Sequence, residues 1–154
     1  MISVGTYNDY FKQLISRVSG LKSFILIANE PQLADNIRNM DDSEFPALVA
    51  LIPSADSISR DPDNILETST CLIYVLKKFE HNDQTPTTFL SVMLETQNIM
   101  QAIKLQMLAD RADHAIFSHL LERIDLSRMH TDPEYNYLGC NGWSLSFLIS
   151  TPGY

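Results

Sequence analysis

The spacing of hydrophobic positions changes along this chain in a way that separates helices from strands. Tyr7, Phe11, Leu14, Ile15 and Val18 recur on one face at helical spacing. They predict an opening helix with Thr6 as its cap, Asp9 completing an imperfect capping box, and Gly20 as its stop. Residues 22–28 are too short and too continuously apolar for an amphipathic helix and predict a strand buried on both faces. Asn29-Glu30-Pro31 restarts a helix with Pro31 in its first turn and Leu33, Ile37 and Met40 as the inward stripe. Asp41-Asp42-Ser43 breaks it, and residues 45–52 form a second buried strand with Pro46 near its beginning.

Residues 53–64 are rich in Pro, Ser, Asp and Asn and predict an exposed, irregular connection. Residues 65–79 then carry β-branched, aromatic and apolar side chains on both phases, which predicts a long strand able to pair antiparallel with residues 45–52. Thr85-Pro86 opens the longest helix, running to Ala112, with Phe89, Met93, Thr96, Met100, Ile103 and Met107 as its core face. For residues 114–129 the pattern favours a short helix or turn, followed by a strand over residues 122–130. Thr131-Asp132-Pro133-Glu134 reads as a loop and Asn141-Gly142 as a tight turn. Trp143, Leu145, Phe147 and Ile149 then alternate with Ser144, Ser146, Leu148 and Ser150, the clearest strand signature in the chain.

The resulting order, α-β-α-β-β-α-β-β, joins several strands by loops rather than helices. It predicts one α+β domain over residues 1–154, with a mainly antiparallel, mixed sheet and helices packed on one side. A chain of 154 residues can bury roughly 68–70% of its unfolded surface, so folding needs no metal or disulfide.

Charge narrows the functional classes. Eleven Lys plus Arg against 19 Asp plus Glu leave a net charge of -8, which argues against a surface that grips a phosphate backbone. Lys77-Lys78 is the single adjacent basic pair. The five glycines supply no phosphate-binding loop. Cys71 and Cys140 stand far apart without zinc or redox spacing and read as free thiols of a reducing compartment. Residues 1–10 lack the basic and apolar regions of a secretory signal, and no apolar run approaches a membrane span, so a soluble cytoplasmic product with no membrane partner is expected.

Among candidate chemistry, Asp110, Asp113 and His114 share a helix face and are the best metal-like cluster; the competing reading is a solvated helix end. Asp56, Asp61 and Asp63 lack the glycine and closing glutamate of a calcium loop and are better explained as turn formers. Ser118, His119 and Cys71 have no surrounding nucleophile motif. Tyr135, Tyr137 and Trp143 either form an aromatic contact surface or close the edge of the core.

The order of elements resembles the small neck and tail-completion proteins of tailed bacteriophages, in the tail-terminator-like group. The resemblance is carried by the opening helix with Tyr7, Phe11, Leu14 and Val18, the strand Phe24-Ile25-Leu26-Ile27, and the segment Phe45-Pro46-Ala47-Leu48-Val49-Ala50-Leu51. It continues through Leu72-Ile73-Tyr74-Val75-Leu76, the single long helix, and the end Leu138-Gly139-Cys140-Asn141-Gly142-Trp143-Ser144-Leu145-Ser146-Phe147. The resemblance implies a structural virion protein, without catalytic residues or cofactor, assembled in the host bacterial cytoplasm. It implies a homo-oligomeric ring, sixfold or a multiple, that joins head to tail or ends the tail tube. Its partners would be other neck, tail-tube or portal-adaptor proteins, and DNA passing through the lumen without specific binding. By position, the interface candidates are Asp56, Ile58, Arg60 and Asp61 in residues 53–64, and Tyr135, Tyr137 and Trp143 near the chain's end. Two readings of other classes stay open: a metal-dependent enzyme using Asp110, Asp113 and His114, and an adaptor that binds a protein through a strand edge.

Overall fold

A side-chain hydroxyl sets the start of the first helix. Ser3 accepts a hydrogen bond from the Thr6 amide at 3.4 Å, so α1 (Val4–Arg17) begins ahead of the expected Thr6 cap, and Thr6 supplies the donor instead. The computed structural model describes residues 1–58, 65–80, 82, 85–113 and 118–152. After α1 come β1 (Ser23–Ile27) and α2 (Glu30–Asn39), the latter capped by the Asn29 side chain, which accepts from the Gln32 amide at 3.0 Å. β2 (Ala47–Leu51), β3 (Ser54–Ile58) and β4 (Leu66–Lys78) follow, then α3 (Pro86–Ala112), a short α4 (Ser118–Leu121), β5 (His130–Tyr137) and β6 (Cys140–Pro152).

The strands form one six-stranded mixed sheet in the order β1-β2-β4-β6-β5, with β3 pairing β4 beyond the end of β2. The β1–β2 pair is parallel, joined through α2, and the remaining pairs are antiparallel. β4 and β6 run beside each other from Leu66↔Pro152 to Lys78↔Cys140 and form the spine of the sheet. The α+β class and the antiparallel pairing of β2 with β4 agree with the hydrophobic pattern.

Alternation along the strands sorts two cores. Leu48, Ile73, Val75, Leu145 and Phe147 point to the face covered by α1, α3 and α4, where Phe11, Leu14, Met100, Ile103 and Met107 meet them. Ala47, Val49, Tyr74 and Leu76 point to the other face, where Leu33 and Ile37 of α2 cover them. Each fully buried Leu, Ile or Phe contributes about 1.5–3 kcal/mol relative to exposure. Cys71 and Cys140 are buried free thiols in these separate cores.

One polar cluster ties α1 to α3. Asp110 is only 4% exposed and accepts hydrogen bonds from Arg17, from the Tyr10 hydroxyl at 3.0 Å and from the Gln106 amide at 2.9 Å.

Several sequence expectations are corrected. Residues 22–28 are not buried on both faces: β1 is an edge strand, and Ser23, Phe24, Ile25 and Leu26 are half-buried. The connection at residues 53–64 contains a strand, β3, because five consecutive residues pair with β4 despite their polar composition. The strand expected over residues 122–130 starts only at His130; before it, Asp125 accepts from the Ser127 amide at 3.0 Å and closes a 3-10 turn over Leu126–Arg128. The loop expected at residues 131–134 lies inside β5, where Pro133 is tolerated on an edge strand. The expected Asn141-Gly142 turn is instead the start of β6. The chain turns at Leu138 and Gly139, both with positive φ (53° and 78°). Asn141 is buried and accepts from the Asn136 amide at 2.8 Å, holding the bulge of β5, and Gly142 is needed for close approach to β4. A Cβ on Gly142 would lie 1.9 Å from the Val75 carbonyl oxygen.

Candidate interaction surfaces

The candidate residues fall into two groups at opposite ends of the sheet. At one end, β3 and β4 form a hairpin extension, with Asp56 exposed opposite Thr68 and Ile58 opposite Leu66. Arg60 and Asp61 lie outside the described residues, as does the side chain of Ile58. The hairpin begins where β4 has left β2, so β3 pairs on one side with β4 and presents its other edge outward.

At the other end, near Lys78, aromatic side chains collect. Tyr135 is 63% exposed; its ring lies 6.4 Å from Phe79, stacked, and 5.8 Å from Phe89, edge-on. Tyr137 is half-buried and stacks on Tyr74 at 5.2 Å, so it closes the core edge. Burial and the neighbouring Tyr137 push the Tyr74 phenol well above its ordinary range, so it stays neutral. Trp143 is also half-buried, with its indole Nε1 donating to the Met93 carbonyl at 3.0 Å, which locks α3 to β6. Of the three aromatic candidates, Tyr135 is the one free to meet a partner. Phe89, expected on the core face of the long helix, is only half-buried and lies against Tyr135 instead; Phe79, at the end of the long strand, carried no signal of this contact.

Beside this aromatic group runs a groove of about 750 Å³ between the end of α2 and the end of β4, lined by Ile37, Arg38, Phe45, Lys78, Phe79 and Leu138 among others. Its cations are partly engaged. Lys78 donates to the Met40 carbonyl at 2.6 Å and sits 5.4 Å over the Phe45 ring, while Lys77 is ion-paired with Glu95.

The metal-like cluster does not converge. Burial would raise the Asp110 carboxyl, but hydrogen bonds from Arg17, Gln106 and Tyr10 outweigh it and hold the group below its ordinary range. Its oxygens are therefore committed to structural donors. Asp113 is exposed at the end of α3, its amide bonded to the Ala109 carbonyl at 3.0 Å, and His114 lies outside the described residues. Among the described residues, no three His, Cys, Asp or Glu side chains are placed to hold a metal ion. Among them also, no helix is long and apolar enough to cross a membrane. No known family profile and no curated protein matches this chain.

Proposed function

We propose that this protein is a non-enzymatic virion component that assembles head-to-tail into a closed ring, sixfold or a multiple, at a phage neck or tail end. There it would join head to tail or terminate the tail tube. The observation that carries the reading is the separation of two unlike surfaces on one subunit. The β3–β4 hairpin and the Tyr135 cluster lie at opposite ends of the 13-residue β4, roughly 40 Å apart. A closed ring needs two different, complementary patches on each copy, whereas a twofold dimer needs only one.

The edge strand β1 supports the same reading. Ser23-Phe24-Ile25-Leu26-Ile27 is apolar, and among the described residues its outer edge is unpaired and carries no proline or charge. Such an edge invites aggregation unless a partner covers it. The opposite edge strand, β5, carries Pro133, Asp132 and Glu134, which discourage strand addition. The net charge of -8 suits a lumen through which DNA slides without sticking.

Complementary blocking tests the reading. Asp56→Lys with Ser57→Lys blocks the hairpin end, and Tyr135→Asp blocks the aromatic end. Each variant alone should fail to form rings, and their mixture should give a capped dimer, because one intact contact remains. Rings formed by either variant alone, or a mixture that stays monomeric, would refute these surfaces as ring contacts.

A further inference from the structure

Three lysines are half-buried among the described residues: Lys77, Lys78 and Lys104. Two of them have strong acceptors. Lys77 is ion-paired with Glu95, and Lys78 donates to the Met40 carbonyl and lies over the Phe45 ring. Lys104 of α3 has neither. Its ammonium donates to the Thr131 hydroxyl of β5 at 3.4 Å, the long end of hydrogen bonding, and no carboxylate among the described residues pairs with it. A partly desolvated ammonium with one weak, neutral acceptor is left short of negative charge. The neighbouring sequence does not supply it. The helix positions three and four residues from Lys104 are Met100, Gln101, Met107 and Leu108, so no acid shares its face. Asp132 follows Thr131 in β5 and alternates to the opposite face of the sheet, where it pairs with His130.

Lys104 lines a pocket of about 150 Å³ between α3 and the β5–β6 pair, together with Gln97, Met100, Gln101, Thr131 and Trp143. Gln97, Gln101 and Lys104 follow one another at steps of four and three, so they share one helix face. Trp143 gives the pocket an apolar wall. Its Nε1 donates to the Met93 carbonyl at 3.0 Å, which fixes the ring and uses its one polar group. The thioether side chain of Met100 adds a second apolar surface. The pocket therefore joins one unneutralised cation, two carboxamides and a hydroxyl to an indole and a methionine.

We propose that this pocket binds a single carboxylate carried on a short apolar stem. Lys104 supplies the opposite charge, and the Gln97 and Gln101 amides and the Thr131 hydroxyl supply further donors for the two carboxylate oxygens. The stem packs against Trp143 and Met100. Volume limits the ligand: a cavity of this size holds about six non-hydrogen atoms, the size of butyrate or of the end of a glutamate side chain, and is too small for a nucleotide. Charge limits it further. A chain of net charge -8 repels polyanions, and the arginine forks and helix N-termini that grip phosphate are absent from the described lining of this pocket. The proposal stands independently of the ring, since it uses neither the β3–β4 hairpin nor Tyr135.

Trp143 is the single tryptophan of the chain, so intrinsic fluorescence reports on this pocket directly. The purified chain is titrated with butyrate, with its neutral isostere butyramide and with inorganic phosphate, all at constant ionic strength. Butyrate should give a saturable change with a Kd of about 1 mM. Butyramide and phosphate should bind at least about tenfold more weakly. Lys104→Met keeps the apolar stem and removes the charge, and should weaken butyrate at least about tenfold. Lys12→Met, at an exposed lysine of α1, should leave the titration unchanged. Circular dichroism monitors folding, and Gln101→Leu, at an exposed position, should weaken butyrate several-fold if Lys104→Met misfolds. A blocked peptide with a central glutamate, compared with its glutamine counterpart, separates the two sources of the carboxylate. Tighter binding of the glutamate peptide than of butyrate assigns the pocket to a protein side chain; binding of butyrate without the peptide assigns it to a free small acid. A response that never saturates with either carboxylate, equal binding of butyramide or phosphate, or unchanged butyrate binding in folded Lys104→Met would each overturn the proposal.

Discussion

Replacing Asp110 with alanine removes the acceptor at the centre of the α1–α3 contact. Two losses add. The charge-assisted hydrogen bonds from Arg17 are worth about 1.5–3 kcal/mol, discounted toward the lower end because the Arg17 side chain is 35% exposed. The fully buried Tyr10 hydroxyl is left without this acceptor, at a further cost of about 1–3 kcal/mol. The expected destabilisation is about 2.5–4.5 kcal/mol. For a chain of this length each kcal/mol shifts Tm by about 2–4 °C, so Tm should fall by about 10 °C. Asp110→Asn keeps the shape and one acceptor and should lose about half as much; Tyr10→Phe should lose about 1 kcal/mol. The assay is urea and thermal unfolding of these variants and of the Arg17→Met double-mutant cycle. The sign with pH is fixed by the lowered folded-state carboxyl. Its stabilisation is complete above the unfolded aspartate range, about 3.9, and is lost as pH falls through the lower folded value. The gap between wild type and Asp110→Asn should therefore be constant from pH 5 to 8 and shrink below about pH 4. An Asp110→Ala loss under about 1 kcal/mol, or a gap that widens in acid, would refute this reasoning.

Further outcomes follow from other contacts. Gly142→Ala should destabilise by about 3 kcal/mol, because its Cβ would overlap the Val75 carbonyl and push β4 from β6; Ser146→Ala on the same strand should stay within about 0.5 kcal/mol by urea unfolding. Burial pushes the Cys71 and Cys140 thiols up to about 12, so an aromatic disulfide reagent at pH 8 should label neither until the chain unfolds, and then both. Thr85→Ala removes the cap that accepts from the Thr88 amide at 3.2 Å and should cost about 1 kcal/mol in thermal unfolding.

The elements legible in the sequence are those whose packing face repeats. Tyr7, Phe11 and Leu14 on α1, Leu33 and Ile37 on α2, and Met93, Met100, Ile103 and Met107 on α3 lie buried where their spacing placed them. The same is true of Leu145, Phe147 and Ile149 on β6. What escaped the sequence reading depends on pairing rather than on periodicity. β3 is polar on both faces, and its register with β4, not its own residues, makes it a strand. Asn141-Gly142 carries the residues of a turn, but the long β4–β6 pairing uses Gly142 for close approach and Asn141 to hold a bulge. Asp110 looked like a ligand because its partners Arg17 and Tyr10 lie 93 and 100 residues away in the chain.

Negative-stain imaging of the purified chain, paired with native mass spectrometry, tests the central claim most directly. The account predicts annular particles with a central hole, in a mass class that is a sixfold multiple of the 17.5 kDa chain, lost on Tyr135→Asp. Particles without a hole, in a monomer or simple dimer class at every concentration and indifferent to Tyr135→Asp, would contradict it.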